Sequence, residues 1–342
     1  MKHLITGGSG FLGSLIVESL VKRGDSVVSL DIWEPPDRNK NIEFVLGSIL
    51  DRDLVRRAIK GVDVVHHSAA LVPLTKAGKL FHEVNVEGTR IVAEEAARAN
   101  VSYFVHTSSS TVFGCPSSSP VSNAKPLEPV EEYGISKLGA EIVAKEVSDQ
   151  SGMPLLVVRP RTMVGVGRLG IFQILFEWIS ENRNIYVIGD GKNKIQFLHG
   201  DDLIDCYMFL CEKKRPGFYN VGTDRFDTLE KTLGNLINHA GSKSKIRHLP
   251  KNLTMQGLAW LDVLGLSPLA PWHYLTYSED FYFDMNPLLE LGWKPRYSND
   301  EMFKIAYDDF VAHYDKTGDT SSNSAHRKRV KEKILWLLKH MP

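Results

Sequence analysis

Disulfide chemistry is the first thing the chain lacks. Its 342 residues carry three cysteines, Cys115, Cys206 and Cys211, too few for a stapled scaffold and without metal-ligand spacing. That scarcity fits a reducing cytoplasm, and no metal is expected. An excess of either charge is missing too: 41 basic against 41 acidic side chains suggest neither a nucleic-acid partner nor an acidic scaffold. No apolar run reads as a membrane span, because the longest, Leu253 to Trp272, is broken by Asp262 and two prolines. The first residues already read as a strand, so no signal peptide is expected, and no internal repeat is visible. With 43% hydrophobic residues the chain can bury a full core, as one large domain with a smaller lobe or as two domains.

The stretch that organises the rest is Lys2-His3-Leu4-Ile5-Thr6-Gly7-Gly8-Ser9-Gly10-Phe11-Leu12-Gly13. A short apolar run, His3 to Ile5, breaks into a glycine turn, and helical spacing follows at Phe11, Leu15, Ile16 and Leu20. Strand, Gly-x-x-Gly-x-x-Gly and helix together aim a helix N-terminus and its N–H groups at a pyrophosphate. Gly7 permits the tight turn, Gly10 keeps a Cβ out of the phosphates' way, and Gly13 lets the helix lie close on the sheet.

Downstream, strands are expected at 26–31, 42–46, 62–66, 101–107 and 155–159, alternating with helices near 51–59, 79–99 and 131–150. That alternation predicts an α/β fold, a Rossmann-type doubly wound parallel sheet with a smaller interleaved α/β substrate lobe. Residues 1–165 are expected to form the nucleotide-binding domain, with 195–222 returning to it, and 166–194 and 223–314 the substrate lobe. Residues 315–342 read as a polar linker and a basic amphipathic helix, suited to packing on protein or to peripheral contact with an anionic membrane.

Three constellations carry chemistry. Asp31 ends the second strand, about 20 residues beyond the glycines, where a carboxylate accepts hydrogen bonds from an adenosine ribose and repels a 2′-phosphate. This points to NAD over NADP. Tyr133 and Lys137 lie four apart in a helical pattern and so share one face. A tyrosine ordinarily titrates near 10, and a neighbouring ammonium favours its phenolate, bringing it into range as an acid/base. The Ser-rich segment Thr107-Ser108-Ser109-Ser110-Thr111 closes a strand, where hydroxyls open toward the cofactor cleft.

With these motifs in order, the chain resembles the extended short-chain dehydrogenase/reductases, which include nucleotide-sugar epimerases and dehydratases and hydroxysteroid dehydrogenases. The resemblance also takes in His67-Ser-Ala-Ala70, Asn85-Val-Glu-Gly-Thr89, Arg159-Pro160, Asp201-Asp202-Leu203 and Leu291-Gly-Trp-Lys-Pro295. It implies Ser109, Tyr133 and Lys137 as the catalytic set. It places Gly7, Gly10, Phe11, Leu12 and Gly13 at the pyrophosphate, Asp31 and Ile32 at the ribose, and Ile49 at the adenine edge. Ser48, Ser68, Ala69, Ala70, Asn85, Thr107 and Pro160 complete the cofactor contacts, with Tyr133 and Lys137 reaching the same ligand. A homodimer paired through the helices of 88–99 and 131–147 is implied as well.

Sugar dehydratases of this superfamily carry an acidic pair where this chain has Ser110-Thr111, which speaks against dehydration and for a 4-epimerase working on a nucleotide sugar. Tyr133 would take the proton of the C4 hydroxyl while hydride passes to tightly held NAD, and the sugar would receive it back on its other face. Ser110, Thr111, Thr162, Lys194 and His199 are the candidate substrate contacts. Two departures stand out: relatives hold the diphosphate with an Arg where this chain has Ile195, and with an Asn where it has Thr162. Lys192, Lys194, Arg161 and Arg168 are the replacement cations at hand. The alternative is an NAD-dependent alcohol dehydrogenase or ketone reductase of the 3β-hydroxysteroid type. It draws on the aromatic lobe residues Trp260, Trp272, Tyr274, Phe281, Tyr282 and Phe283 and on Leu261, Leu264 and Leu266. A non-catalytic NAD sensor would be expected to have lost Tyr133 or Lys137, and both are present.

Overall fold

The computed structural model describes residues 1–72, 77–168, 172–263 and 275–313. The chain divides into two compact units: Met1–Phe113, Pro126–Pro160 and Gly200–Val221 form the first, and Gly114–Lys125, Arg161–His199 and Gly222–Pro342 the second.

The first unit is built on seven parallel strands, β1 (Lys2–Thr6), β2 (Ser26–Asp31), β3 (Glu43–Leu46), β4 (Val64–His67), β5 (Tyr103–Thr107), β6 (Leu155–Pro160) and β8 (Gly217–Val221), in the order β3-β2-β1-β4-β5-β6-β8. The order reverses between β1 and β4, and at such a switch point the strand ends open a crevice for ligands. Helices α1 (Phe11–Lys22), α2 (Arg52–Ala58), α3 (Gly88–Arg98), α4 (Glu132–Ser151) and α6 (Gly200–Glu212) belong to this unit. The β-branched and apolar runs that make the strands also make their core: Leu4, Val28, Val65, Phe104 and Val157 pack with Val92 and Ala96 of α3 and Ala144 of α4. Asp51 starts α2 by accepting the Leu54 N–H.

The second unit holds a two-stranded parallel sheet, β7 (Ile185–Ile188) with β9 (Ile246–Leu249), together with α5 (Phe172–Ser180), α7 (Leu229–His239), α8 (Lys251–Val263) and helices Asn286–Glu290 and Asn299–His313. Its core is aromatic: Phe172, Phe176 and Phe197 each meet Phe303 edge-on, with ring centroids 5.0–6.5 Å apart.

Two expectations are corrected here. Residues 195–198 form no strand of the main sheet; they make isolated bridges to Met163 and Phe281 and bury Ile195 and Phe197 in the second unit's core. The chain returns to the first unit at Gly200, and the edge beside β6 is taken by β8. The helix expected over 79–99 is interrupted by a π-helical turn, His82–Glu87, before α3 begins. That wider turn carries Asn85, whose amide is used in the site below. Of the lobe aromatics, Phe281 and Phe283 are core residues, whereas Trp260 on α8 is 71% exposed. Leu264, Leu266, Trp272, Tyr274, the linker and the basic helix of 326–341 lie outside the described residues. Among the described residues no helix is long and apolar enough to cross a membrane.

The main sheet buries an unusual set of histidines, His3, His66, His67 and His106. Burial pushes His66 and His67 down to about 3, and lowers His3 and His106 as well. In the unfolded chain they titrate near 6.5, so below that pH the unfolded state binds protons the folded state refuses. Stability is therefore expected to fall as pH drops from 6.5 toward 3, by about 1.4 kcal/mol per pH unit for each fully buried neutral histidine. Urea unfolding at pH 7.5 and pH 5 measures this, and equal midpoints would contradict it.

Candidate active site

The glycine turn is held by main-chain bonds. The Gly7 N–H donates to the Leu30 carbonyl at 2.8 Å, and the Gly10 N–H to the Gly7 carbonyl at 3.0 Å. Gly7 has φ +74°, and a Cβ there would stand 2.7 Å from the Ala69 nitrogen. A Cβ at Gly13 would lie 2.0 Å from the Gly7 carbonyl oxygen, so only glycine lets α1 come this close to the turn. At Gly10 a Cβ would approach only the Gly7 oxygen, at 3.2 Å, so packing within the chain is not what excludes a larger residue. Gly10 is the N-cap of α1 and offers no side-chain cap, which leaves the first-turn N–H groups for an external oxyanion. A dinucleotide's pyrophosphate fits this cradle. Phe11 is buried against Gly200 of α6, so only its main chain is available to the ligand, whereas Leu12 is half-buried.

Asp31 closes β2 with both oxygens engaged, accepting the Ser9 N–H at 3.0 Å and the Trp33 N–H at 3.1 Å. Ser9 Oγ in turn donates to the Trp33 carbonyl at 2.7 Å, tying the glycine turn to the residues after β2. Burial pulls the carboxyl's pKa up, and these N–H donors work against it. Ile32 is 74% exposed. Ser48 Oγ accepts the Leu50 N–H. The Ile49 side chain is buried, its Cδ1 2.5 Å from where a Cβ at Gly88 would be, so any contact with an adenine edge falls to its main chain.

A buried chain of hydrogen bonds joins the turn to the middle of the unit. The Thr89 hydroxyl donates to the Asn85 carbonyl at 2.6 Å, so it accepts from His67 Nε2–H at 2.9 Å. His67 Nδ1 is then the acceptor for the Thr6 hydroxyl at 2.7 Å, one residue before Gly7. This tautomer, assigned from the partners, requires a neutral ring, in keeping with its low pKa. Asn85 bonds both main-chain groups of Leu71 and donates to Ser136 Oγ at 2.9 Å, and Ser136 donates to the Tyr133 carbonyl at 2.7 Å. Ser68 Oγ lies 3.3 Å from Thr107 Oγ1, which also meets the Tyr207 hydroxyl. Ala69 and Ala70 are half-buried.

Tyr133 is the second residue of α4, its ring edge-on to Phe81 at 6.0 Å. One turn later Lys137 is 4% exposed, and its ammonium donates to the carbonyl of Thr107 at the end of β5. Burial lowers Lys137 to about 8, with Glu141 acting in the opposite sense. Half-buried Ser109 follows β5, and its Oγ accepts the Thr111 N–H at 3.2 Å, opening a 3₁₀ turn over Ser110–Phe113. Gly134 lets the start of α4 settle on that turn, since a Cβ there would stand 2.9 Å from the Thr111 carbonyl oxygen. The end of β5, the 3₁₀ turn and the first turns of α4 thus bring Ser109, Tyr133 and Lys137 into one neighbourhood. Ser110 and Thr111, expected as substrate contacts, are 2% and 4% exposed.

Behind Lys137, Glu141 and Arg159 form a buried two-pronged ion pair, Nε–Oε1 2.8 Å and Nη2–Oε2 2.6 Å. The guanidinium lies between the rings of Phe113 and Phe218, 5.2 and 5.0 Å from their centroids. Sequence reasoning passed over Glu141, Thr6, Ser136 and Tyr207. Their spacing carries a faint signal only for Glu141, one helical turn beyond Lys137.

In the second unit, half-buried Thr162 lies beside the phenol of Tyr277 and favours its ionised form. Lys194 is exposed at a turn whose main chain is bonded to Asp280 and Phe281. His199 is buried, its ring tilted against that of Tyr297 with centroids 4.1 Å apart, and fills the space over Gly165. Of the three, Lys194 is exposed, Thr162 half-buried and His199 buried. Among the described residues no group of three His, Cys, Asp or Glu side chains is placed to hold a metal.

Residues 3–222 match the family described as NAD dependent epimerase/dehydratase. The chain is 41% identical to the uncharacterized protein y4nG of Sinorhizobium fredii, over 98% of this chain and 85% of that one. It is 26% identical to the dTDP-D-glucose 4,6-dehydratase of Mus musculus, over 88% of this chain and 86% of the relative. Its fold matches the crystal structure of UDP-glucuronic acid 4-epimerase from Bacillus cereus in complex with NAD, with TM-score 0.75 at 22% identity, over 92% of this chain and 100% of that one.

Proposed function

The chain belongs to the NAD-dependent epimerase/dehydratase family of extended short-chain dehydrogenase/reductases, and we propose that within it the protein is a nucleotide-sugar 4-epimerase. NAD, the cofactor of the family, supplies a reversible hydride acceptor when bound. In this proposal the turn of Gly7, Gly10 and Gly13 holds the pyrophosphate and Asp31 the ribose. Tyr133 takes the proton of the C4 hydroxyl and returns it to the same oxygen after the sugar has presented its other face. Lys137, fixed on the Thr107 carbonyl, lowers the phenol's proton affinity, and Ser109 hydrogen-bonds the oxygen that gains and loses the proton.

The observation that carries the proposal is the closure of Ser110 and Thr111 beside an intact Ser109, Tyr133 and Lys137. Eliminating water needs an acid and a base next to the reacting carbons, and neither residue supplies one. A cytoplasmic homodimer belongs to the same proposal, supported by exposed Ile135 and Ile142, seven residues apart on α4. The test is turnover by protein purified without added cofactor. UDP-glucose or UDP-glucuronate should become its C4 epimer with no NAD supplied, and denaturing the protein should release NAD. Activity only with added NAD, with NADH formed in step with an oxidised product, would replace the proposal by the dehydrogenase alternative.

A further inference from the structure

Two arginines stand two residues apart where β6 ends, and the fold treats them oppositely. Arg159 is neutralised by Glu141 through two hydrogen bonds. Arg161 is as deeply buried, 2% exposed, and among the described residues no acidic side chain pairs with it. Its Nε donates to the Gln196 carbonyl at 3.1 Å, and its guanidinium lies 3.8 Å over the Phe281 ring and 5.6 Å from that of Phe283. Its Nη1 is buried with no partner among the described residues. Aromatic faces and one carbonyl only partly replace the water lost by a guanidinium, so a buried one without a counter-ion weakens the fold unless an anion joins it.

The surroundings suit an anion. Thr162, the next residue, lies beside Tyr277, and the phenol of Tyr277 lies in the field of both Arg161 and Arg168. Arg168 is oriented by its Nε bond to the Met163 carbonyl at 3.1 Å. Thr162, Arg168 and Tyr277 are half-buried, so the cluster reaches the surface around the buried Arg161. Position 195 offers no cation: it is an isoleucine, fully buried in the lobe core.

We propose that Arg161, with Thr162, Arg168 and Tyr277 around it, is the receptor for a substrate oxyanion, either the diphosphate of a nucleotide sugar or a carboxylate on the sugar. This rests on the nucleotide-sugar substrate proposed above. Both sources present paired oxygens to the fork of a guanidinium, which a lysine matches less well.

Calorimetry on the purified protein with inorganic pyrophosphate, UDP, UDP-glucose and UDP-glucuronate tests it, using wild type, Arg161→Met and Arg161→Lys. If the diphosphate is the anion, pyrophosphate and UDP should lose at least about tenfold in affinity in Arg161→Met, with Arg161→Lys in between. If the carboxylate is the anion, UDP is unchanged and UDP-glucuronate loses its advantage over UDP-glucose. Ligand-free Arg161→Met should melt no lower than wild type, because it removes an uncompensated buried charge. All four ligands binding both variants as they bind wild type would overturn the receptor. Wild type that binds pyrophosphate through Arg161 but none of the nucleotides would keep the receptor and overturn the substrate class.

Discussion

Tyr133→Phe is expected to lower kcat by about 10²–10⁴-fold, the span contributed by a positioned acid/base, with NAD affinity nearly unchanged. The substitution keeps the ring and its edge contact with Phe81, and removes only the hydroxyl. Gly134 still seats α4 on the Thr111 carbonyl, and Ser136 still bonds the main chain of residue 133, so the fold has no reason to respond. The loss should therefore fall on kcat, with KM little changed, because the role proposed for the missing group is to move a proton in the reacting step. Lys137 cannot stand in for the phenol, since its ammonium is held by the Thr107 carbonyl. Steady-state kinetics with a cofactor-binding titration decides the matter. A kcat within about tenfold of wild type would show that another group moves the proton.

The largest stability effect is expected at Arg159. Arg159→Met leaves Glu141, 2% exposed, without the guanidinium that meets it through two hydrogen bonds, and breaking such a buried pair destabilises by about 3–5 kcal/mol. A methionine fills much of the space between Phe113 and Phe218, so a stranded carboxylate, more than a cavity, is responsible. Adding Glu141→Met should then recover most of the loss, because two apolar side chains of similar volume leave no unpaired charge. Denaturant unfolding of the two single variants and the double variant measures this. A double variant as unstable as the sum of the singles would mean that packing, and not charge, dominates. Glu141 also raises the proton affinity of Lys137 against its burial, so the double variant should hold its lysine charged over a narrower pH range.

Much of the geometry of this candidate site is legible in local sequence because it rests on short-range contacts. A turn needing Gly7 and Gly13, an acid at the end of a strand, and a Tyr and Lys one helical turn apart are each visible within a few residues. The parallel sheet followed from alternating apolar runs. What escaped depends on distant partners. His67 serves Thr6 and Thr89 at once, and the unusual turn around Asn85 exists to meet Leu71 and Ser136. Phe11 and Ile49 sit in or beside ligand motifs, yet the fold takes their side chains for packing. Residues 195–198 carry the composition of a strand, but the core of the second unit claims Ile195 and Phe197. Lys194, the expected substrate contact, is exposed, whereas Arg161, one of the other cations near the site, is enclosed with no acidic partner among the described residues, a difference that only burial reveals.

The central claim is that hydride leaves and returns to one carbon while Tyr133 moves the proton. Turnover of a nucleotide sugar deuterated at C4, with unlabelled NAD in the solution, tests it most directly. The C4 epimer should keep its deuterium at C4, with none in the free NAD pool; deuterium in free NADH beside an oxidised product would contradict the claim.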